Sequence, residues 1–398
     1  MSDVELIFAI LAVIYGWECA CWLRGGTLAF RTFLGNSWSA IPPGKMLGNQ
    51  RGGFIFANPL PPLGTLLQSG TLPVSVSPDG VLAYVATHLN PGPRPWQTRR
   101  WISWEQLESV QSKGKWVLVN GQRFAHAGSS HSALRLRQLL TDLKALPRPR
   151  RERRIREFCE SGFDSKTLKK AWETLQQHSR KLRWLTNGLF AWVFLVAPAT
   201  VWLVGFHLSW VGLLVGLLAL AINIAVLFHR SHRQVYPELE DERFTQFIIV
   251  LLSPANSIRA LDLLNRPALE AFHPVAVAEQ FLTPVPFEAF AGRCLRDLHH
   301  PAYPTFTSND AAAEEAEGWF RQVQLETVEA FLKRRGGGLS EGTLVPKEAE
   351  PGCLSYCPRC LAQFTVRQGG CEDCGGLPLE TFPGPGACHL LSRGTAPC

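Results

Sequence analysis

The chain has 398 residues, enough for two or three domains, and its formal net charge is +7. Hydrophobic residues make up 46% of it and concentrate in three long runs, which indicates an integral membrane protein and excludes a single soluble globule. Residues 24–183 hold 25 Lys/Arg against 9 Asp/Glu, whereas residues 234–350 hold 10 against 18. This asymmetry can serve solubility and orientation alone, attract the two parts to each other, or seat the basic part on anionic lipid.

Three apolar segments are long enough to cross the hydrocarbon core of a bilayer as helices: 6–23, 184–206 and 208–228. The second and third are joined only by His207 and its neighbours, which predicts a tight hairpin. Pro198 predicts a kink in the second helix. Tryptophans lie near the ends of these segments, as is typical of membrane interfaces: Trp17, Trp22, Trp184 and Trp210.

The flanking charges predict the orientation. Lys and Arg follow the first segment, precede the second and follow the third, at positions that include Arg24, Lys181 and Arg230. The positive-inside rule then places the N-terminus outside and the soluble parts in the cytosol of a multi-pass cell-membrane protein. The basic segment 148–183 is expected to run as a helix into the second span and to lie near an anionic leaflet. Nucleic acid is an unlikely partner on this interpretation, because the anchor and the topology signal account for the charge.

Residues 45–147 predict a β domain with one C-terminal helix. The candidate strands are 52–57, 72–77, 81–88, 99–104, 115–120 and 122–127. Asn120-Gly121 predicts a tight hairpin, because both residue types tolerate positive φ. Four leucines line one face of a helix that is expected to begin at Ser129-Ser130 and end at Leu146: Leu136, Leu139, Leu140 and Leu143.

This stretch resembles a bacterial pleckstrin-homology-like domain. The segments SPDGVLAYV, RRWISWEQLESVQSKGKWVLVNGQRFAHAG and SALRLRQLLTDLKAL carry the resemblance. It implies a small barrel closed by the helix and used for lipid or protein recognition, although a fold does not fix a ligand. Its cations can meet phosphates or form a solvated face: Arg99, Arg100, Lys113, Lys115 and Arg123.

Residues 234–336 predict an acidic, all-helical cytosolic domain. Proline follows a helix-starting position at Ser253-Pro254, His273-Pro274 and Val285-Pro286. A long helix is expected from residues 308–310 to Arg335, where a run of three glycines ends it. His299-His300 is an adjacent pair whose side chains point in different directions on a helix, so a shared metal or acid/base site is not expected there.

The strongest chemical pattern is YCPRCLAQFTVRQGGCEDCGG, in which two C-x-x-C pairs, Cys357/Cys360 and Cys371/Cys374, are separated by ten residues. Two such knuckles facing each other form a closed tetrahedral site, so residues 351–382 resemble a zinc ribbon with a structural Zn²⁺. Iron is the main rival, and a disulfide pair is disfavoured in the cytosol. Participation of Cys353 or Cys388 stays open. The Pro/Gly-rich tail 383–398 is expected to be poorly ordered.

No catalytic motif appears, so the pattern does not propose an enzyme. Three hypotheses remain: a membrane-anchored adaptor that docks an unidentified cytosolic protein, an accessory subunit of a larger transport or export complex, and an unrecognised membrane enzyme with its site in residues 234–336. One face of the third span supports the second hypothesis if it docks on a partner helix, although internal packing is the better explanation of it: Gly212, Gly216, Ala219 and Asn223. The sequence does not give the oligomeric state.

Overall fold

A computed structural model describes most of the chain as small β-sheets and long helices. The described residues are 6, 74–86, 96–127, 130–252, 257, 260–269, 271–281, 284–300, 311–335, 344–346 and 349–382. The expected first span 6–23 (apart from residue 6), strand 52–57, Ser253-Pro254, the glycines after Arg335 and the tail 383–398 lie outside these ranges.

Where it is described, the β part consists of two three-stranded antiparallel sheets, in the orders β1-β2-β3 and β4-β5-β6. The strands are β1 (Val74–Val76), β2 (Gly80–Ala86), β3 (Trp96–Ser103), β4 (Val110–Lys113), β5 (Trp116–Val119) and β6 (Gln122–His126). Helix α1 (Ser130–Ala145) buries the four predicted leucines against them. Apolar side chains of both sheets and of α1 therefore share one core.

The predicted hairpin at Asn120-Gly121 is confirmed, with φ of 50° and 75° at the two residues. The Asn120 side chain also binds the segment before strand β4. Its Oδ1 accepts hydrogen bonds from the Glu108 and Ser109 amides at 2.8 and 3.1 Å. Strand β4 was not predicted. Its sequence VQSK has one apolar residue in four, so it carries too little alternation to signal a strand.

The predicted continuity between the basic segment and the second apolar segment is confirmed. Helix α2 (Arg148–Ser161) is followed by α3 (Ser165–Ala191), which continues through a π-helical segment (Trp192–Val196) into α4 (Ala197–Val204). The π segment lies directly before Pro198, whose missing N–H and bulky ring disturb the preceding turn. The predicted disturbance at this proline therefore takes the form of a widened turn.

The turn of the apolar hairpin is at Gly205 rather than at His207. Gly205 has φ of 86°, a conformation that glycine adopts without steric cost, and helix α5 (Phe206–Val235) begins at the next residue. The connection predicted at His207 and its neighbours therefore lies two residues before His207, because helix α4 ends at Val204 and the predicted span extended to residue 206.

Within the described residues, one helix is long and apolar enough to cross a membrane, Trp210–Val235. The predicted segment 184–206 is helical but divided by the π segment. It exposes several large apolar side chains: Leu195, Trp202, Leu203 and Val204. Helix α5 exposes an apolar stripe of its own: Val211, Val215, Leu218, Ile222 and Val226.

The two arms of the hairpin pack closely at Gly216. A Cβ built there would lie 2.3 Å from the Trp192 ring, and Trp192 Nε1 donates a hydrogen bond to the Leu213 carbonyl at 3.3 Å. Asn223 Nδ2 donates to the Ala219 carbonyl of its own helix at 2.8 Å. Internal packing therefore accounts for Gly216, and Gly212 has open space around it.

The part of the chain after the hairpin is helical where it is described. Its helices are α6 (Arg243–Leu252), α7 (Ala260–Leu269), α8 (Pro274–Phe281), α9 (Pro284–His299) and α10 (Ala311–Arg334). The predicted start at His273-Pro274 is confirmed, whereas the next helix starts at Pro284, two residues before the predicted proline. Buried apolar residues of α7 to α10 form one core with residues of α3 and α5.

The basic and acidic parts of the chain touch each other. Arg156 Nη1 lies 2.7 Å from Glu326 Oε2, and His131 Nδ1 lies 2.9 Å from Glu238 Oε1. Phe320 of α10 belongs to the core of the β part. Mutual contact, one of the alternatives left open by the charge asymmetry, is therefore present. It consists of an ion pair, a histidine–carboxylate hydrogen bond and an apolar contact.

Candidate metal centre

The last described segment is a small ribbon built from five two-residue strands. Strand β7 (Ser355–Tyr356) pairs with β8 (Gln363–Phe364) and with β11 (Glu380–Thr381), and β9 (Gly370–Cys371) pairs with β10 (Leu377–Pro378). Strands this short hold little stability by themselves. The fold of this segment therefore depends on what joins the two sheets, and the cysteines lie at that junction.

Each C-x-x-C pair lies in a tight turn closed by a backbone hydrogen bond from one of the two residues that follow it. The Leu361 amide donates to the Cys357 carbonyl at 2.9 Å, and the Gly376 amide donates to the Cys371 carbonyl at 2.9 Å. The residue after the second cysteine of each pair has positive φ, 62° at Leu361 and 74° at Gly375. The two turns thus share a geometry that brings their sulfur atoms to one side.

The four predicted ligands converge. The sulfur atoms of Cys357, Cys360, Cys371 and Cys374 all lie within 4.8 Å of one another, and Cys360 Sγ lies 3.7 Å from Cys371 Sγ. Four ligands at the usual Zn–S length of ~2.3 Å in a tetrahedron lie about 3.8 Å apart. This group could hold a metal ion, and its donor set and spacing suit zinc.

The thiols influence one another strongly. Hydrogen bonds first from Cys360 and then from Cys374 lower the pKa of Cys357 to about 2. Burial, and then the charges of Cys360 and Cys357, raise the pKa of Cys371 to about 12. Hydrogen bonds to Cys357 and Cys360 raise the pKa of Cys374. Four thiols this close do not all ionise without a cation, and a divalent ion supplies the missing charge.

The first knuckle is seated on helix α9 through buried charges. Arg359, the third residue of the CPRC knuckle, places its Nε 2.7 Å from Asp297 Oδ1, and Arg293 Nε lies 3.2 Å from Asp297 Oδ2. Arg296 Nε donates to the Arg359 carbonyl at 2.9 Å. Arg296 and Arg359 are each only 5% exposed, so these are interior contacts rather than surface ion pairs. The sequence analysis did not predict this attachment.

Within the described residues, the other residues considered from sequence do not belong to the converging group. Cys353 is half-buried and does not belong to the converging set. Cys388 lies outside the described residues. The rings of His299 and His300 have centroids 6.2 Å apart, and His299 Nε2 lies 3.9 Å from Glu329.

Two shifted titratable groups in the described part of residues 234–336, His273 and Cys294, have structural explanations. Burial lowers the pKa of His273 to about 3, and the ring caps a helix: the Val275 amide donates to its Nδ1 at 3.2 Å. Burial also raises the pKa of Cys294, which packs in the apolar core. These shifts do not favour a catalytic site.

Comparisons with known proteins add no relative. No family model matches the chain, and neither a curated protein nor a solved structure matches it. Functional inference therefore depends on the chain's own geometry.

Proposed function

We propose that this protein is a membrane-anchored adaptor that holds a cytosolic protein at a fixed position beside the membrane. One observation carries the proposal: the apolar hairpin and the helical domain that bears the ribbon share a single core. Leu182 and Leu189 of α3 and Phe228 of α5 pack in the same cluster as Phe287 of α9 and Phe331 of α10. A platform joined to its anchor by buried apolar contacts keeps the ribbon at a constant height and orientation.

The anchor is proposed to consist of three spans, 6–23, 184–206 and 208–228, with the N-terminus outside and the soluble parts cytosolic. The exposed apolar side chains of α4 and α5 and the exposed Trp184 support this arrangement, because lipid is the environment in which such a surface is stable. Exposed Arg180 and Lys181 lie just before Trp184, at the level where anionic headgroups would meet them. Within segment 148–183, contact with anionic lipid is therefore proposed only for the C-terminal end.

The metal is proposed to be a structural Zn²⁺ held by the four converging cysteines. A site with four protein ligands has no open position for a substrate, so the ion would fix the ribbon rather than perform a reaction. The two three-stranded sheets with helix α1 support a pleckstrin-homology-like domain as a second recognition module. We infer no ligand for that module.

The accessory-subunit alternative depends on the same hairpin. Gly212 has open space around it and lies near the exposed stripe of α5, so a partner helix could approach there. Gly216 does not support this alternative, because Trp192 of the same chain fills its surroundings. The enzyme alternative has no supporting observation in the described residues.

Crosslinking and co-purification from native membranes test the adaptor proposal. We would compare the unaltered protein, the double variant Cys371→Ser, Cys374→Ser, and the control Cys353→Ser, which alters a cysteine outside the converging group. The proposal predicts a specific partner with the unaltered protein and the control, and its loss with the double variant. A partner that persists with the double variant would place docking on the membrane helices or on another soluble domain, and it would strengthen the accessory-subunit alternative. The absence of a partner in all three would reject the adaptor.

A further inference from the structure

Helix α6 (Arg243–Leu252) has a polar first turn that is followed by a run of apolar residues, FIIVLL. Val250 of this run packs in the core of the helical part. Another side of the helix exposes large apolar side chains, of which Phe244 is 69%, Ile249 39% and Leu252 74% exposed. A helix of 10 residues is only about 15 Å long and cannot cross a bilayer. Its exposed apolar face therefore marks a contact surface that the core of this chain does not cover.

Two contacts give the direction of α6 relative to α5. At the start of α6, Arg243 Nη2 donates a hydrogen bond at 2.6 Å to the carbonyl of Pro237, which lies just past the end of α5. Farther along α6, the centroid of the Phe247 ring lies 5.7 Å from that of His229 in α5. Helix α6 therefore runs back along α5 toward the proposed membrane. Its polar turn is the cytosolic end, and its apolar run is the end nearer the bilayer.

The apolar end of α6 reaches the level of Trp184, which marks the proposed membrane boundary on α3. Ser231 Oγ of α5 donates to the His178 carbonyl of α3 at 2.9 Å, which gives the register of these two helices. Trp184 lies about 9 Å beyond His178 along the helix axis, toward the membrane. Leu252 lies about 7.5 Å beyond Phe247 in the same direction. From these starting points, Trp184 and Leu252 project onto the same turn of α5.

The backbone at the end of α6 suits an environment without water. The last carbonyl groups of a helix have no partner within the helix, and hydrocarbon offers them none. In α6 the Val250 carbonyl accepts a hydrogen bond at 2.6 Å from Ser257 Oγ, and Ser257 is fully buried. A polar group of the chain therefore takes the place that water takes at an exposed helix end.

Exposed cations lie on the cytosolic side of this level. Arg180 of α3 and Arg230 of α5 are both exposed. Along their helices they lie about 6–9 Å from the level of Trp184. The headgroup layer of a bilayer extends about 5–8 Å beyond the hydrocarbon on each side. The two cations are therefore at the depth of lipid phosphates when Trp184 and Leu252 are at the edge of the acyl chains.

We propose that α6 is a re-entrant element of the anchor: its apolar end enters the cytosolic leaflet beside α5, and phospholipid acyl chains cover Ile249 and Leu252. This inference rests on the proposed membrane anchor and adds to it a segment that does not cross the bilayer. Because Val250 packs in the same core as the ribbon-bearing helices, insertion of α6 also fixes the depth of the cytosolic platform.

Site-specific photo-crosslinking tests this proposal in the full-length protein, reconstituted in vesicles of phosphatidylcholine and phosphatidylglycerol. A benzophenone-bearing phenylalanine replaces Leu252 in one variant, Val226 of the exposed α5 stripe in the second, and Leu354, an exposed leucine of the ribbon, in the third. Each exchange puts one exposed apolar side chain in place of another and leaves the core unaltered. After irradiation, mass spectrometry should find acyl-chain adducts at position 252 with a yield comparable to that at position 226, and none at position 354.

The variant at Val226 separates failure of this inference from failure of the anchor. If position 226 forms no lipid adduct, the proposed membrane anchor is rejected, and the re-entrant helix with it. If position 226 forms adducts but position 252 forms none, or links instead to a second copy of the chain, this inference alone is rejected. Equal yields at positions 252 and 354 would also overturn it, because exposure of an apolar side chain would then be enough to explain the adducts.

Discussion

His273 joins two helical layers through three contacts. Its Nδ1 accepts from the Val275 amide at the start of α8, its amide donates to the Gly162 carbonyl at 2.8 Å, and its ring stacks on Phe163 at 4.4 Å. Burial lowers the pKa of the ring to about 3. The folded protein therefore keeps this histidine neutral at pH values where the unfolded chain protonates it.

This difference predicts acid sensitivity. An unfolded histidine titrates near 6.5, so the contribution of His273 is fully present above that pH and is lost as pH falls toward 3, at a slope of up to about 1.4 kcal/mol per pH unit. His273→Asn keeps an acceptor for the Val275 amide and removes the titrating group. Thermal unfolding between pH 7.5 and 4.5 should show a smaller loss for the variant. Equal losses in both proteins would place the acid sensitivity elsewhere.

Single residues differ in how clearly the sequence signals their role. Gly375-Gly376 follows the second knuckle and predicts a left-handed turn, whereas Leu361 adopts φ of 62° at the equivalent place with no signal in its residue type. In the sequence, Arg296, Asp297 and Arg359 look like ordinary surface charges. Their burial and their pairing across 62 or 63 residues of chain are tertiary properties, which leave no local pattern. The metal ligands were predictable because both knuckles are local.

The apolar hairpin is the element whose packing can be tested most directly. Its helices were predictable from apolar runs, and Pro198 predicted a disturbance in the first arm. The π form of that disturbance and the turn at Gly205 were not predictable, because the apolar pattern specifies neither. The Trp192 ring covers Gly216, and Gly212 lies one turn away with open space. These two glycines form a matched pair on one helix.

Gly216→Leu and Gly212→Leu should therefore differ. A side chain at position 216 must displace an indole ring, and overpacking of this kind typically costs about 1–3 kcal/mol. At position 212 the added side chain meets nothing in this chain. Thermal unfolding in detergent should show a lower midpoint for Gly216→Leu alone. If Gly212→Leu lowers the midpoint as much as Gly216→Leu does, the packing of Trp192 against Gly216 is wrong. If Gly212→Leu leaves the midpoint unchanged but dissociates a partner, the accessory-subunit alternative is favoured.

The ribbon is the second element with a clear test. Purified full-length protein should carry about one zinc per chain, because one tetrahedral group is formed by four cysteines. Cys353→Ser should retain the metal, and Cys371→Ser, Cys374→Ser should lose it. Elemental analysis of the three proteins measures this directly. Iron in place of zinc would identify the rival metal, and retention of metal by the double variant would reject the four-cysteine site.

At the scale of the whole molecule, the described residues form two large apolar cores, one in the β part and one in the helical part. Contacts between these two parts hold them together. Exposed pairs such as Arg156–Glu326 contribute little individually, so apolar contacts such as that of Phe320 hold the parts together. The sequence predicted separate domains from composition. It did not predict that α10 would belong partly to the β part, because contacts between distant segments leave no local pattern.

The proposed topology makes opposite predictions for two introduced cysteines. His207→Cys lies beside the hairpin turn and should react in intact cells with a membrane-impermeant thiol reagent. Thr141→Cys, on an exposed face of α1, should react only after the cells are permeabilised. Labelling of the unaltered protein measures the background that comes from its native cysteines. Labelling of Thr141→Cys in intact cells would invert the proposed orientation.

Helix α3 is continuous from Ser165 to Ala191 and therefore leaves the proposed membrane boundary at Trp184 as an unbroken helical rod. Between Ser165 and Trp184 this rod is about 28 Å long. Bilayers of different thickness change the tilt of a hydrophobic helix, and a change of about 5° would move the far end sideways by about 2.5 Å. Because α3 shares its core with the ribbon-bearing helices, the whole cytosolic platform would swing with it. In the proposed arrangement, the ribbon would keep its position relative to the anchor, and a change in bilayer thickness would move both together relative to the membrane plane.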